Sequence, residues 1–373
     1  MHKLGRISAK AKSGRLICPL MMTRQLDADD ACPARDGYFM PAEWAPHSRT
    51  WMQWPTRVAP FGGPDGLLRA QQAYAVIART IRRFEPVTMV VSPHDAAEAQ
   101  LACGPLVDLA EFPIDDSWAR DSGPTFVVNG KGGLAGVHWR FNAWGNKYHP
   151  HANDAAIGAS IVDVADVPIY RAPLVLEGGA IHVDGAGTMI TTEQCLLNEN
   201  RNPELSRQQI EARLALYLGI LKIIWLGDGL KHDETDGHVD NVACFARPGT
   251  VLLNMPTDKS DENYPAMADN LARLAHSLDA HGRKLEIIEL PQPKKVRLRH
   301  DGTRLETTYI NFYACNGAII APAFDDPMDE RARRILADVF PGREIVQVDA
   351  LPVLEGGGGI HCITQQQPKP ITS

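Results

Sequence analysis

Val175-Leu176-Glu177-Gly178-Gly179-Ala180-Ile181-His182 recurs near the end of the chain as Val353-Leu354-Glu355-Gly356-Gly357-Gly358-Gly359-Ile360-His361, with one glycine inserted. A self-similar segment at long spacing marks a repeat architecture, in which each unit buries its apolar face only against its neighbours. Taking Asp121, Glu177, Asp240, Asn311 and Gly357 as landmarks gives steps of 56, 63, 71 and 46 residues. Four intervals imply five similar units. Stacked around an axis they would share one core, and a strand at residues 50–54 could close the ring beside the C-terminal strand. Length alone suggests two domains for 373 residues, at ~150 residues each; the repeat makes one the expectation.

Local patterning agrees with such units. Residues 65–84 carry Tyr74, Ile77, Ile81 and Phe84 on one helical face, and Pro86 is read as the stop before a strand at 87–91. Ser206 and Gln209 form a capping-box pair ahead of Ile210, Leu214 and Leu218, with Gly219 as terminator. Further helices are expected around Met267–Leu278, ended by Gly282, and over 326–340 with Pro327 in the first turn. Strand pairs are expected at 125–129 with 134–139, 180–183 with 188–191, 238–245 with 251–254, and 309–314 with 318–321.

Composition limits the partners. Hydrophobic residues make up 44% and charged residues 22%, the balance of a folded globular protein. A formal charge of −7 disfavours nucleic acid and favours cationic ligands through long-range steering. No apolar run reaches the ~18 residues that span a bilayer, so no membrane partner is expected. Seven cysteines, at 18, 32, 103, 195, 244, 315 and 362, are odd in number and lack a C-x-x-C pair. This argues against a disulfide framework or zinc ribbon and for a reducing cytoplasm. Lys3, Arg6, Lys10, Lys12, Arg15 and Arg24 precede any acid. Residues 1–39 are expected to be a disordered or non-native N-terminal extension, with Met21, Met22 or Met40 as alternative starts, and residues 40–373 a single catalytic domain.

Three clusters carry reactive groups, each with an ordinary alternative. Asp115-Asp116-Ser117-Trp118-Ala119-Arg120-Asp121 reads in isolation as a solvated acidic turn. His232-Asp233-Glu234-Thr235-Asp236-Gly237-His238-Val239-Asp240 places His238 and Asp240 two residues apart, on one face of the expected strand. A hard divalent metal is the rival reading there, but its second ligand strand would have to be Asp325-Asp326-Pro327-Met328-Asp329, which suits a helix N-terminus better. Cys362, alone, would be a small core residue. Its setting after Gly356, Gly357, Gly358 and Gly359 instead implies close approach of another group. Cys195, Cys244 and Cys315 lack such surroundings and are read as core.

Met40-Pro41-Ala42-Glu43-Trp44, Trp51-Met52-Gln53-Trp54-Pro55, Phe141-Asn142-Ala143-Trp144-Gly145, Glu234-Thr235-Asp236-Gly237-His238-Val239-Asp240-Asn241 and His361-Cys362-Ile363-Thr364-Gln365-Gln366 occur in this order, and the chain from 40 to 368 resembles the agmatine deiminases. The resemblance implies an α/β fold, the five-bladed α/β propeller (pentein) of pseudo-fivefold repeated ββαβ units. It also implies hydrolysis of agmatine to N-carbamoylputrescine and ammonia, a step of putrescine biosynthesis, without metal or organic cofactor. The catalytic positions it carries over are Asp121, Glu177, His238, Asp240 and Cys362. Asp121, Asp240, Trp118, Gly358 and Gly359 would bind the small cationic guanidine substrate. A homo-oligomer is likewise implied.

The chemistry suits that set. A guanidinium is a planar cation with a poorly electrophilic carbon. Asp121 and Asp240 can each accept paired N–H bonds and leave the carbon open to attack by the Cys362 thiolate. His238 would protonate the departing ammonia and then take a proton from water, with Glu177 orienting its ring. Trp118 packs along the substrate's methylene chain or is plain core. Arg57, Arg120 and Arg201 could instead hold a carboxylate, which leaves arginine and peptidyl-arginine open as substrates. Gly359 stands where relatives commonly carry asparagine. A metal-dependent ureohydrolase would release urea and be stopped by a chelator, and a binding propeller would hold a cation without turnover.

Overall fold

The computed structural model describes residues 32–372. Strand β1 (His47–Gln53) runs parallel to β2 (Val87–Val91), with the helix Pro64–Arg82 crossing between them, and β3 (Asp108–Glu111) adds a further parallel strand. Each later sheet begins with an antiparallel pair and ends with a parallel strand reached through a helix. These are β4 (Thr125–Val128), β5 (Leu134–Arg140) and β6 (Ile169–Val175); β7 (Ile181–Val183), β8 (Thr188–Thr192) and β9 (Lys222–Leu226); β10 (Ala243–Arg247), β11 (Thr250–Met255) and β12 (Glu286–Pro291); and β13 (Tyr313–Cys315), β14 (Ala318–Ala323) and β15 (Glu344–Asp349). Finally β16 (Gln365–Pro368) pairs antiparallel with β1, supplying the first sheet's missing hairpin partner. Five ββαβ units result: the chain is a five-bladed α/β propeller, closed by its two ends.

The closure is specified by side chains as well as backbone. Trp51, fully buried on β1, donates its indole N–H to Gln367 Oε1 across the seam at 2.9 Å. Blade strands such as Val87–Val91 are buried along their whole length, because helices cover the side away from neighbouring blades. Their continuous apolar run is what a strand buried on both faces requires, and each aliphatic side chain so buried contributes roughly 1.5–3 kcal/mol. The helix Pro64–Arg82 starts with proline in its first turn and buries Tyr74, Ile77 and Ile81, as expected. Helix Arg207–Leu218 has both halves of the Ser206/Gln209 capping box.

Gly219 ends that helix in the left-handed region, at φ 66°. A Cβ there would stand 2.7 Å from Phe39 Cβ, so glycine serves both the turn and the passage of the preceding chain. Phe39 bridges Val128, and Met40 N donates to Leu218 O at 2.9 Å. Thus residues 32–39, assigned by sequence to the extension, join the fold, whereas residues 1–31 lie outside the described residues.

Other expectations need correction. His238 and Asp240 are not on a strand: Val239–Asn241 is a 3-10 turn and the strand begins at Ala243. Likewise Tyr309 and Asn311 precede β13, which begins only at Tyr313. The helix after Met255 spans Tyr264–Ala275 and stops before Gly282, which sits in a later turn. The last long helix is Asp329–Val339, so Pro327 lies ahead of its first turn. In both blades the polar residues before the strand are withdrawn from pairing and turned toward the axis, where the site is built.

Candidate active site

The segment just before the first strand of each blade delivers one polar group to the axis. Asp121 stands on the short helix Ala119–Ser122 before β4, and Glu177 caps the turn before β7. Asp240 lies in the turn before β10, Asn311 before β13, and Cys362 before β16. Four of the five repeat landmarks are therefore equivalent positions in the fold. In the fifth blade the polar group at the axis is Cys362, not Gly357.

These groups meet in a buried cage. Asp121 accepts the Trp144 indole N–H on Oδ2 at 2.9 Å and the Gly179 N–H on Oδ1 at 3.0 Å. His238 is fully buried between two carboxylates, its Nδ1 3.8 Å from Asp121 Oδ1 and its Nε2 3.8 Å from Glu177 Oε2. Glu177 Oε1 takes the Arg201 Nε proton at 2.7 Å. Cys362 Sγ lies 3.5 Å from Asp240 Oδ2 and receives the Asn311 amide N–H at 3.3 Å. Asp240 Oδ1, Glu177 Oε2 and both ring nitrogens of His238 are buried without a hydrogen-bond partner. Unsatisfied buried acceptors are costly: Glu177 Oε2 faces the His238 ring, while Asp240 Oδ1 calls for an N–H donor that the described residues do not supply.

Charge crowding shifts the titrations. Burial, reinforced by Asp240 and Asp121, holds the Cys362 thiol well above its ordinary range, although the Gly359 N–H and Asn311 pull the other way. Burial also raises Asp121; His238 opposes this while Asp240 and Glu177 add to it. For His238 burial favours the neutral ring, but Asp121, Cys195 and Glu177 outweigh it and hold the imidazolium well above its usual range. Glu177 and Asp240 stay low despite burial, the first through Arg201 and the second through His361.

Behind the cage runs a polar chain that sequence reading missed. His361 Nδ1 contacts Asp240 Oδ2 at 2.9 Å, and its Nε2 contacts both oxygens of Glu43 at 2.9 and 3.0 Å. Arg120 Nη1 reaches Glu43 Oε1 at 3.3 Å. Glu43 and His361 sat in motifs already singled out, but their pairing spans most of the chain and has no local signal. Asn311 was visible only as a repeat landmark. It supplies an amide next to the sulfur, beside Gly359.

Outward from Cys362, the pocket is walled by Trp118, Trp144 and Tyr148, by Gly356, Gly357 and Gly358, and by the carboxylates of Asp116, Asp121 and Glu234. Trp118 therefore faces the pocket, with its ring packed on Gly358. A Cβ on Gly358 would sit 2.6 Å from Trp118 Cζ3 and 3.0 Å from Cys362 Cβ. Gly359 is not among the lining residues; a Cβ there would strike Asn311 Oδ1 at 2.3 Å. Gly358→Ala is expected to raise KM at least about tenfold, the factor corresponding to ~1.4 kcal/mol, by displacing Trp118. Steady-state kinetics checks this, and an unchanged KM would refute the packing argument.

The pocket's lining includes no basic side chain. Arg201 is committed to Glu177, Asp236 and the Thr235 carbonyl; Arg120 to Glu43 and the His361 carbonyl; Arg57 to Asp116 at 2.9 Å. None of the three arginines considered for a carboxylate is available to one. The rival metal ligands are also engaged locally. Asp329 accepts the backbone N–H groups of Phe324 and Asp326, and Asp325 pairs with Lys295 and Arg297. Cys195, read as core, is buried but stands against His238 and Glu177.

A profile of the Porphyromonas-type peptidyl-arginine deiminase family matches residues 39–368. An agmatine deiminase of Stutzerimonas stutzeri is 49% identical over 360 residues, covering 91% of this chain and 97% of that protein. The solved agmatine deiminase of Enterococcus faecalis superposes with a TM-score of 0.88 at 38% identity, over 92% of this chain and 99% of its own. A cysteine-to-serine agmatine deiminase of C. jejuni with substrate bound gives 0.80 at 29% identity, over 90% and 97%. Sequence match and superposition thus agree: the chain belongs to the Porphyromonas-type peptidyl-arginine deiminase family.

Proposed function

We propose that this chain is an agmatine deiminase, a cysteine hydrolase that converts agmatine and water to N-carbamoylputrescine and ammonia, with the ring of five blades as its catalytic domain. The observation that carries the reading is a buried thiol 3.5 Å from Asp240, whose other oxygen lacks a donor, at the end of a pocket lined by acids and aromatics with no basic side chain. A guanidinium satisfies the acceptors at one end. At the other, Asp116 is already paired with Arg57 and Glu234 with Arg299 and Tyr148; a protonated amine adds to these carboxylates, whereas arginine's α-carboxylate would face them with no cation among the lining residues. Trp118 flanks the methylene chain between.

The steps follow from the cage. Asp121 and Asp240 Oδ1 hold the guanidinium plane, and its positive charge offsets the carboxylates that keep Cys362 protonated. With the cation in place the Cys362 thiol releases its proton to solvent, and the thiolate forms a C–S bond to the guanidinium carbon. The tetrahedral adduct expels ammonia with a proton from His238, leaving a thiouronium. Water then gives one proton to His238 and forms the C–O bond; as the C–S bond breaks, the adduct's hydroxyl proton passes to the departing sulfur, leaving the urea carbonyl and the Cys362 thiol. Glu177, fixed by Arg201, keeps the ring charged and oriented. No metal or organic cofactor enters these steps.

The test is release of ammonia and ureido product from agmatine, free arginine and a blocked arginine peptide. Turnover of agmatine at least about 10²-fold above the others in kcat/KM is expected, from an unpaired buried carboxylate costing several kcal/mol. Comparable turnover of free arginine would overturn the substrate assignment. We further infer a reducing, cytoplasmic setting, because the six described cysteines are all free thiols, and, from the family resemblance, a homo-oligomer.

The pH profile has a definite sign. Asp121 accepts the substrate's N–H groups only when ionised, and its carboxyl titrates above the usual range because of burial and its acidic neighbours. Consequently kcat/KM is gained as pH rises through that raised pKa, and the acid limb lies above the ~3.9 of an ordinary aspartate. At the alkaline end activity falls as His238, also raised, loses the proton it must donate. An acid limb at the ordinary carboxylate value would contradict the crowded-cage account.

A further inference from the structure

We propose that Glu177, Cys195 and His238 form an inhibitory site for a borderline-soft divalent cation of the zinc class, distinct from the nucleophile Cys362. The three residues come from different segments: the turn before β7, the short helix Glu193–Leu196, and the turn before β10. One ligand atom from each lies within 4.8 Å of the others, and all three side chains are buried. The donors are also available. Glu177 uses only Oε1 for Arg201, while Oε2 and both His238 ring nitrogens have no hydrogen-bond partner.

Thiolate, imidazole and carboxylate together favour zinc over calcium or magnesium, which prefer all-oxygen shells. In a tetrahedral centre with metal–ligand bonds of roughly 2.0–2.3 Å, ligand atoms stand about 3.3–3.8 Å apart. Glu177 Oε2 and His238 Nε2 are already 3.8 Å apart, so only Cys195 Sγ has to close by up to about 1 Å, a distance that fits those same bond lengths. Three protein ligands leave one coordination position open toward the cage. The three ligands are buried and do not themselves line the pocket; Asp121 does, and its Oδ1 is 3.8 Å from His238 Nδ1.

Binding would form S–metal, N–metal and O–metal bonds and release the Cys195 and His238 protons to solvent. Inhibition follows on the proposed deiminase reading, because a metallated imidazole can neither give nor take a proton. Metal binding itself does not depend on that reading. Substrate and metal compete, since both enter the same cage.

The experiment uses full-length protein titrated with Co2+ as a spectroscopic stand-in for Zn2+, in parallel with Zn2+ inhibition of ammonia release. One Co2+ per chain is expected, with a sulfur-to-cobalt charge-transfer band that persists in Cys362→Ala. Cys195→Ser should abolish the band and weaken zinc binding at least tenfold. A band lost in Cys362→Ala and kept in Cys195→Ser would place the metal on the nucleophile and overturn the proposal. Absence of any cobalt–thiolate band in wild type would overturn it as well. Should Cys195→Ser fold poorly, Glu177→Gln provides the second variant: it retains the thiolate band but weakens binding, and unchanged affinity would remove Glu177 from the site. Zinc binding with no detectable deiminase turnover would leave the site standing while refuting the proposed activity, so the two failures are separable.

Discussion

Cys362→Ala is expected to lower kcat by about 10⁵-fold or more, the scale seen when a covalent nucleophile is removed. The residual cage cannot compensate. Cys195, a second thiol near His238, does not line the pocket, and water placed at the vacated sulfur position would meet Asp240 Oδ2, which already accepts from His361. Agmatine affinity should change by less than about tenfold, ~1.4 kcal/mol, since Asp121, Asp240 Oδ1 and Trp118 remain. Single-turnover kinetics and calorimetric binding on one preparation check both halves. Turnover retained within tenfold of wild type would remove Cys362 from the mechanism. Lost binding would show instead that the thiol helps hold substrate.

The second large effect is on folding. Arg201 and Glu177 form a completely buried ion pair at 2.7 Å, and Arg201→Met leaves Glu177 buried with its closer counter-charge gone and His238 at 3.8 Å. Breaking one partner of such a pair costs about 3–5 kcal/mol, whereas replacing both with apolar residues is often neutral. Arg201→Met is therefore expected to lose that stability, and Arg201→Met with Glu177→Met to regain most of it without regaining activity. Urea unfolding measures the first claim and ammonia release the second. A stability loss below about 1 kcal/mol in the single variant would mean that Arg201's charge is not needed to hold Glu177 there.

Much of this was legible in the residues, for identifiable reasons. The Val175–His182 repeat and its spacing predicted five units because equivalent turns must present the same backbone freedom to the axis. The capping box at Ser206 and the stop at Gly219 depend on neighbours in sequence, and both occur. His238 and Asp240 were assigned to a strand because alternating polar and apolar residues mimic one; the turn that holds them is set by tertiary hydrogen bonds, including Gly237 O accepting from Thr192 Oγ1 at 2.6 Å. Cys195 lay outside every motif, and only the fold brings it to His238. The Glu43–His361 contact joins the first and last motifs, a pairing with no periodicity to reveal it.

The seam between β1 and β16 bears on when this protein becomes active. Four of the five axial groups belong to blades complete before the last strand forms, but Cys362 is positioned by a turn that leads directly into β16, whose partner lies near the chain's beginning. Joining such distant segments is entropically slow. A ribosome-bound chain whose last residues are still in the exit tunnel thus has its cation cage but no aligned sulfur, so cage and chemistry are separated in time. Refolding followed by helix signal and by turnover should show the signal first. Simultaneous recovery would mean the blades and the seam form as one unit.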